Sequence, residues 1–349
     1  MSRICLYYQP LPEIDRWIPL DRYFRPWVRR LVRGRPRMGG IDKVFANLCL
    51  GLDGLGVDYL VNLPFSKLKD GDRIGVLGCG RWVLEGYTAQ LPIVGGIGLM
   101  SYPSEWPSLC EDYPVAIYLQ HCDWANEIYK PYFGKRCRTW AVGIDTNAWH
   151  PSGSARATYD FLIYDKITWE RSRRVPELLR PIEDKLSRRG LTFTTLRYGG
   201  YTEAQYREAL ASCHAMIFLC EHETQGLAYL EALASGIPIL AWDQGEYLDP
   251  HRFEWSAAHI PATSVPFFDA RCGQKFTHIE DFGVTLDQFL DGRERNAYTP
   301  RDFVLENLTL EKCARHFLEL LEEAQSYVPD RSHAAGYRVV TTGSESKVL

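Results

Sequence analysis

Short apolar runs alternate with stretches in which apolar residues recur every three or four positions, and the alternation continues through most of the 349 residues. Runs of the first kind suit strands buried on both faces, and the second kind suits helices that cover them, so the chain reads as α/β with parallel sheets. In the first half strands are expected at 4–8, 57–61, 73–77, 97–101, 115–119 and 139–142. A helix is expected at 41–55, because Ile41, Val44, Phe45, Leu48, Cys49, Leu52 and Leu55 fall on one face. The stretch GIDTNAWHPSGSARA, from Gly143 to Ala157, then breaks the periodicity with Gly, Pro, Ser and Asp and marks a domain boundary. Beyond it strands are expected at 159–164, 192–196, 215–220 and 238–242, with helices at 172–188, 203–212 and 225–235 between them. A last helix at 308–324 carries Leu310, Cys313, Ala314, Phe317 and Leu321 on one face and should dock on a domain. The pattern divides the chain into 1–150, 151–325 and a polar, aperiodic tail at 326–349.

Length supports that division, since 349 residues at roughly 150 per domain make about two domains. A composition of 46% hydrophobic and 24% charged residues is that of a globular chain able to bury a core. The longest apolar run, 91–100, is interrupted by glycines and falls short of the roughly 18 to 20 residues that cross a bilayer. The opening MSRICLYYQPLPEID has neither the apolar stretch nor the cleavage site of a signal peptide, so a cytoplasmic protein is expected. Ten scattered cysteines without a C-x-x-C argue against a disulfide framework or a zinc site. A net charge of −4 argues against a dedicated nucleic-acid binder. That average hides a basic segment: between Asp15 and Arg37 eight Arg and two Asp make +6, which leaves −10 for the rest.

The most informative segment is AMIFLCEHETQGLAYLEALASGIPILAWD, from Ala215 to Asp243. An apolar strand runs into Glu221, His222, Glu223 and Thr224, and a helix then starts near Gly226. Ligands of open parallel sheets bind beyond the carboxyl ends of the strands, where helix N-termini meet them. Free amides and the positive dipole end suit a phosphate there, and Gly226 permits close approach of the backbone. Glu231 lies eight residues beyond Glu223, so two carboxylates flank the expected phosphate position. They would repel a diphosphate unless each takes hydroxyl groups and cations neutralise the phosphates. Lys166 and Arg171, at the end of the neighbouring strand in YDFLIYDKITWERSRR, offer those cations.

These residues resemble the E-x7-E signature of the retaining glycosyltransferases of GT-B fold, the group 1 family that uses nucleotide-sugar donors. Glu223 and Glu231 match its two glutamates, and the continuation G-I-P-I-L-A strengthens the likeness. The resemblance implies two Rossmann-like domains facing across a cleft. It implies that Glu223 contacts the donor sugar, that Glu231 hydrogen-bonds the nucleotide ribose, and that the Gly226 and Leu227 amides face phosphate and sugar oxygens. The family's G-R-x4-K pair is similar to Asp165-Lys166 and Arg171 with the two cation types exchanged. GIDTNAWHP resembles the family's crossing between domains, and RMGGIDKVFANL resembles its N-terminal Gly-rich loop, which places Gly39 and Gly40 near the donor diphosphate. His121, in LQHCDWANEIY, is a candidate for the histidine that many relatives place near the donor sugar, although its segment looks more like their S-x-W stretch. No metal and no cofactor beyond the donor substrate is implied. The expected reaction moves a sugar to a hydroxyl of a glycan or glycolipid acceptor, in cell-surface polysaccharide or lipopolysaccharide assembly.

Three other motifs read differently. Gly78-Cys79-Gly80 follows a strand, but Val83 replaces the last glycine of a dinucleotide fingerprint. Asp70-Gly71-Asp72 has D-x-D spelling but precedes its strand in a Lys-rich turn. Asn307-Leu308-Thr309 is a glycosylation sequon without meaning in a cytoplasmic protein. The basic segment interleaves Trp17, Tyr23, Phe24 and Trp27 with its arginines, which suits peripheral contact with the anionic inner face of a membrane. It equally suits an acceptor-binding insertion or a loop paired with acids elsewhere. Two rival functions fit less of the sequence: a non-catalytic GT-B protein that binds a sugar nucleotide or glycan, and an NAD-dependent sugar-modifying oxidoreductase.

Overall fold

A computed structural model describes residues 2–10, 39–152, 157–256 and 258–327. The basic segment 15–37 and the tail beyond residue 327 lie outside the described residues. The described chain forms two parallel sheets, each covered by helices on both faces. The first sheet runs in the order β2-β1-β3-β4-β5-β6, with β1 at Ile4–Tyr7, β2 at Tyr59–Val61, β3 at Arg73–Val76, β4 at Ile93–Gly95, β5 at Val115–Gln120 and β6 at Cys137–Thr139. The second runs β11-β10-β9-β7-β8, with β7 at Tyr159–Lys166, β8 at Phe193–Arg197, β9 at Cys213–Cys220, β10 at Ile239–Trp242 and β11 at Gly273–Phe276. Both orders reverse beside their first strand, which is where doubly wound sheets open a crevice at their carboxyl ends.

The helices that matter for the cleft are α1 (Gly40–Gly54), α2 (Asp123–Phe133), α3 (Glu203–Ala211) and α4 (Leu227–Ala234), followed by α5 (Phe282–Glu294), α6 (Pro300–Asn307) and α7 (Leu310–Gln325). Val44, Leu48 and Leu52 of α1 pack on Ile4 and Leu6, as their spacing requires. The helical run 171–188 contains a π segment, Val175–Leu179, with Pro176 as its second residue. A proline removes one backbone donor and crowds the preceding turn, so the hydrogen-bond ladder is re-registered there.

Two features depart from the periodicity. The strand expected at 97–101 is instead β4 at Ile93–Gly95, and Gly96 and Gly98 turn the chain at positive φ of 150° and 86°. The apolar run 91–100 therefore supplies a strand and then a tight turn, because those glycines adopt backbone angles closed to other residues. The last helix belongs in sequence to the segment 151–325, yet α7 docks on the first lobe. Its Ala314, Phe317, Leu320 and Leu321 share a core with Leu6, Val44 and Leu48. At Gly51 a Cβ would come within 2.5 Å of the Leu310 carbonyl oxygen, so the absence of a side chain lets α1 and α7 approach. Burying a phenylalanine such as Phe317 is worth about 3–5 kcal/mol against truncation to alanine, which makes α7 a strap across both lobes. The crossing segment is held as well: Arg301 donates to the carbonyls of Thr146 (3.0 Å) and Trp149 (2.9 Å). Among the described residues no helix is long and apolar enough to cross a membrane.

Candidate functional site

The carboxyl ends of the two sheets face each other across a cleft of about 1170 Å³. That exceeds the roughly 300–1,000 Å³ of an ordinary small-molecule site. On the second lobe β9 ends at Cys220, and the next residues, Glu221, His222 and Glu223, turn at the lip. Glu221 is fully buried, and its carboxylate accepts hydrogen bonds from the amides of Thr168 (3.0 Å) and Trp169 (3.1 Å). It ties the loop after β9 to the loop after β7, a role that a motif search passes over although a carboxylate at the end of an apolar strand signals it. Burial pushes its pKa up, and the amide donors pull the other way.

Glu223 and Lys166, the last residue of β7, form an ion pair in the cleft. Burial disfavours the Lys166 ammonium, but the charge of Glu223 outweighs it and holds the lysine above its usual pKa. The ammonium also lies 4.6 Å from the centre of the Tyr198 ring. Gly226 caps α4 with φ 72° and ψ 47°, and a Cβ there would lie 2.1 Å from the Tyr229 ring. Glycine alone fits, and it aims the first amides of α4 at the cleft wall formed by Gly226, Leu227 and Ala228. One turn further along, Glu231 is buried and forms an ion pair with Lys43 of α1 in the opposite lobe. Burial raises the Glu231 pKa to about 7, against the pull of Lys43.

Arg171 is a correction. The sequence places it beside Lys166 as a second phosphate cation, but it does not line the cleft. Its guanidinium grips Asp165 with two bonds of 2.8 and 2.5 Å and donates to the Ile167 carbonyl at 3.0 Å. Asp165 is buried in β7, and a buried carboxylate without a counter-charge is costly, so its demand decides where Arg171 points.

From the first lobe, Gly39 and Gly40 reach the cleft at the N-terminus of α1. A Cβ on Gly40 would meet no atom within 4 Å, so the protein itself does not require glycine there. His121 also lines the cleft; its Nδ1 lies 3.2 Å from the Trp140 carbonyl oxygen, which can only accept, so Nδ1 carries the proton and Nε2 the lone pair. Burial lowers its pKa to about 4, and burial does the same to His222. Trp124 of α2 crosses the cleft to donate from Nε1 to the Glu223 carbonyl at 3.0 Å. Tyr102 binds Asp249 at 2.6 Å, a further bridge between lobes. Asp72 of the D-x-D turn is paired with Arg3 (3.0 Å) and belongs to the packing of β1 and β3.

Two sheets with this topology, joined at 143–152 and strapped by α7, have counterparts among solved structures. The chain is similar to a glycosyltransferase from Rickettsia africae ESF-5, with 9% identity over 94% of this chain and 100% of that one at a TM-score of 0.54. It is similar to sucrose-phosphate synthase from Thermosynechococcus elongatus, with 12% identity over 93% of this chain and 99% of that one, also at 0.54. The fold is GT-B. At such identities the likeness is one of fold. No family model matches the chain, and no curated protein matches its sequence. Within the GT-B frame, the cleft brings together Glu223, Lys166, Glu231, Gly226, Leu227, Gly39, Gly40 and His121, and leaves Arg171 outside. Lys43, like Glu105 and Glu203, is a charged lining residue that the motifs did not single out. It sits beside the apolar stripe of α1, where a lysine is indistinguishable by pattern from a solvated one.

Proposed function

We propose that the protein is a glycosyltransferase that moves a sugar from a nucleotide-diphosphate donor to a hydroxyl of a glycan or glycolipid, with retention at the anomeric carbon. The observation that carries this reading is the convergence of two glutamates, Lys166 and the N-terminus of α4 on one cleft wall, with Gly39 and Gly40 opposite. Glu231 takes the ribose hydroxyls, and Glu223 takes hydroxyls of the donor sugar. The diphosphate lies against the α4 amides and Lys166, and the open space at Gly40 admits its far side. The bond from the anomeric carbon to the phosphate oxygen breaks with its electron pair going to the diphosphate. Lys166 and the α4 amides meet that growing charge, so the reading invokes no metal ion. The acceptor oxygen attacks from the same face, and its proton passes to the departing phosphate oxygen. Glu223, engaged by Lys166, is then a binding group and not a nucleophile. Neutral His121 offers Nε2 as a hydrogen-bond acceptor to the sugar. Shared walls from both lobes exclude water and limit donor hydrolysis. The acceptor class, and membrane contact through 15–37, rest on the sequence alone.

A thermal-shift panel of UDP, GDP, ADP and their sugar conjugates tests the reading. At least one diphosphate should raise the melting temperature, and Glu231→Ala should remove most of that shift. Glu223→Gln should keep nucleotide affinity while abolishing transfer and slow donor hydrolysis. A folded Glu231→Ala protein that binds donor normally would sink the assignment. Diphosphate binding without hydrolysis or transfer in the presence of acceptors would leave a non-catalytic GT-B binder, and a fluorescence response to NADH would point to an oxidoreductase.

A further inference from the structure

We infer that Lys43, on the first lobe, is a specificity residue that reads the ribose of the nucleotide together with Glu231, selecting a vicinal diol; this rests on the donor-binding reading above. Lys43 stands in the first turn of α1, three residues after Gly40, and its ammonium reaches across the cleft. There it meets Glu231 and lies 3.6 Å from Glu203, with the Trp149 ring centre 5.1 Å away. The other nearby cation, Arg207, is engaged by Glu203 at 2.8 Å and stacks 3.7 Å from the Trp149 ring centre. Lys43 is therefore the cation left to face Glu231 among the described residues.

The ion pair with Glu231 is close but undirected. Glu231 Oε1 is buried without a partner in hydrogen-bond geometry among the described residues, although the ammonium is beside it. A sugar hydroxyl both donates and accepts, whereas a carboxylate only accepts and an ammonium only donates. Side by side, Glu231 and Lys43 satisfy both roles of two adjacent hydroxyls. A nucleotide lacking those hydroxyls leaves the buried carboxylate and the partly buried ammonium with only each other as partners. Sites built to bind a hydroxyl reject analogues that lack it, because the buried groups then stay unpaired. Burial and the counter-pull of Lys43 on the Glu231 proton affinity agree with this arrangement, since the lysine is what favours the ionised acceptor. The two groups belong to different lobes, so reading the ribose engages both sides of the cleft at once.

The test measures dissociation constants by calorimetry for UDP, GDP and ADP and for the 2′,3′-dideoxy form of each. For the diphosphate that wild type binds best, the dideoxy form should bind roughly 30-fold more weakly, as expected for hydroxyls bonded to charged groups. Lys43→Met should lower that ratio to about fivefold or less, and Lys43→Arg should recover most of it. Lys43→Gln serves as a second uncharged variant if Lys43→Met does not fold. An unchanged ratio with a lower melting temperature would reduce Lys43 to a tie between lobes and overturn the inference. An equal loss for ribo and dideoxy forms would mark a phosphate contact and overturn it as well. If wild type binds none of the three diphosphates, the donor-binding reading itself fails, and this inference with it.

Discussion

The two walls of the cleft are built from different materials. The second-lobe wall carries Lys166, Glu203, Glu223 and Glu231 at strand ends and on helices, while the first-lobe wall is mostly glycine and apolar side chains, with Ser101, Gln120 and His121 as neutral polar groups and Lys43 and Glu105 as its charges. Each conspicuous glutamate has a lysine, but Lys166 reaches Glu223 within one lobe and Lys43 reaches Glu231 across two. The difference separates tasks. A wall of fixed charges can hold a phosphorylated donor in one orientation, and a wall of backbone and apolar surface can accommodate a partner of variable shape. On the proposed reading, the cross-lobe pair ties donor recognition to how the lobes meet.

The contrast within the second lobe offers the largest effect. Lys166→Met should lower kcat/KM for the donor about 100- to 1,000-fold, the scale of losing a group that stabilises developing charge. Arg171→Gln should change it less than about threefold, with its cost appearing as a lower melting temperature, because a buried Asp165 loses its partner. Equal catalytic losses would return Arg171 to the cleft. Between lobes, the glycines offer the next effect. Gly226→Ala places a methyl against the Tyr229 ring at positive φ, and urea unfolding should register about 2–4 kcal/mol of destabilisation. Gly40→Ala adds a methyl into open space, so it should be neutral or stabilising by up to about 1 kcal/mol while weakening diphosphate binding. A Gly40→Ala protein with unchanged affinity would remove α1 from the donor site.

The smallest effect is a pH dependence carried by Glu231. Its folded pKa of about 7 stands above the ordinary 4.5, so between these values the folded state holds the extra proton. Stability from this group is therefore present below pH 4.5 and declines as pH rises through about 7. Nucleotide binding should run the other way, since the ionised carboxylate accepts both ribose hydroxyls. Affinity should rise across pH 6 to 8 and do so less in Glu231→Gln, which leaves only the phosphate's own ionisation near about 6.

Much of this molecule is legible along the chain. Glu223, Gly226 and Glu231 fall where a strand ends and a helix begins, and that local chemistry survives folding because it depends on residues eight apart in one element and its turn. Lys166 follows from the end of the adjacent strand. Arg171 fails the same reasoning: its direction is settled by Asp165, whose burial at the sheet end has no signature in a string of letters. The edge strand β11, with sequence GQKF, and the helix α2 escaped because one is short and half polar and the other has a proline inside it.

Periodicity and motif spacing determine that this protein is two α/β lobes with a charged turn after β9, because burial period and turn chemistry are local properties of the chain. Only the tertiary structure decides that α7 returns to the first lobe, that Arg171 serves Asp165, and that Lys43 meets Glu231. Those outcomes join residues 6 to 311 positions apart in sequence, as with Leu6 and Phe317 in one core. Such partners are chosen by which buried charge or apolar face remains uncovered once the sheets have formed, and that is known only when both lobes are in place.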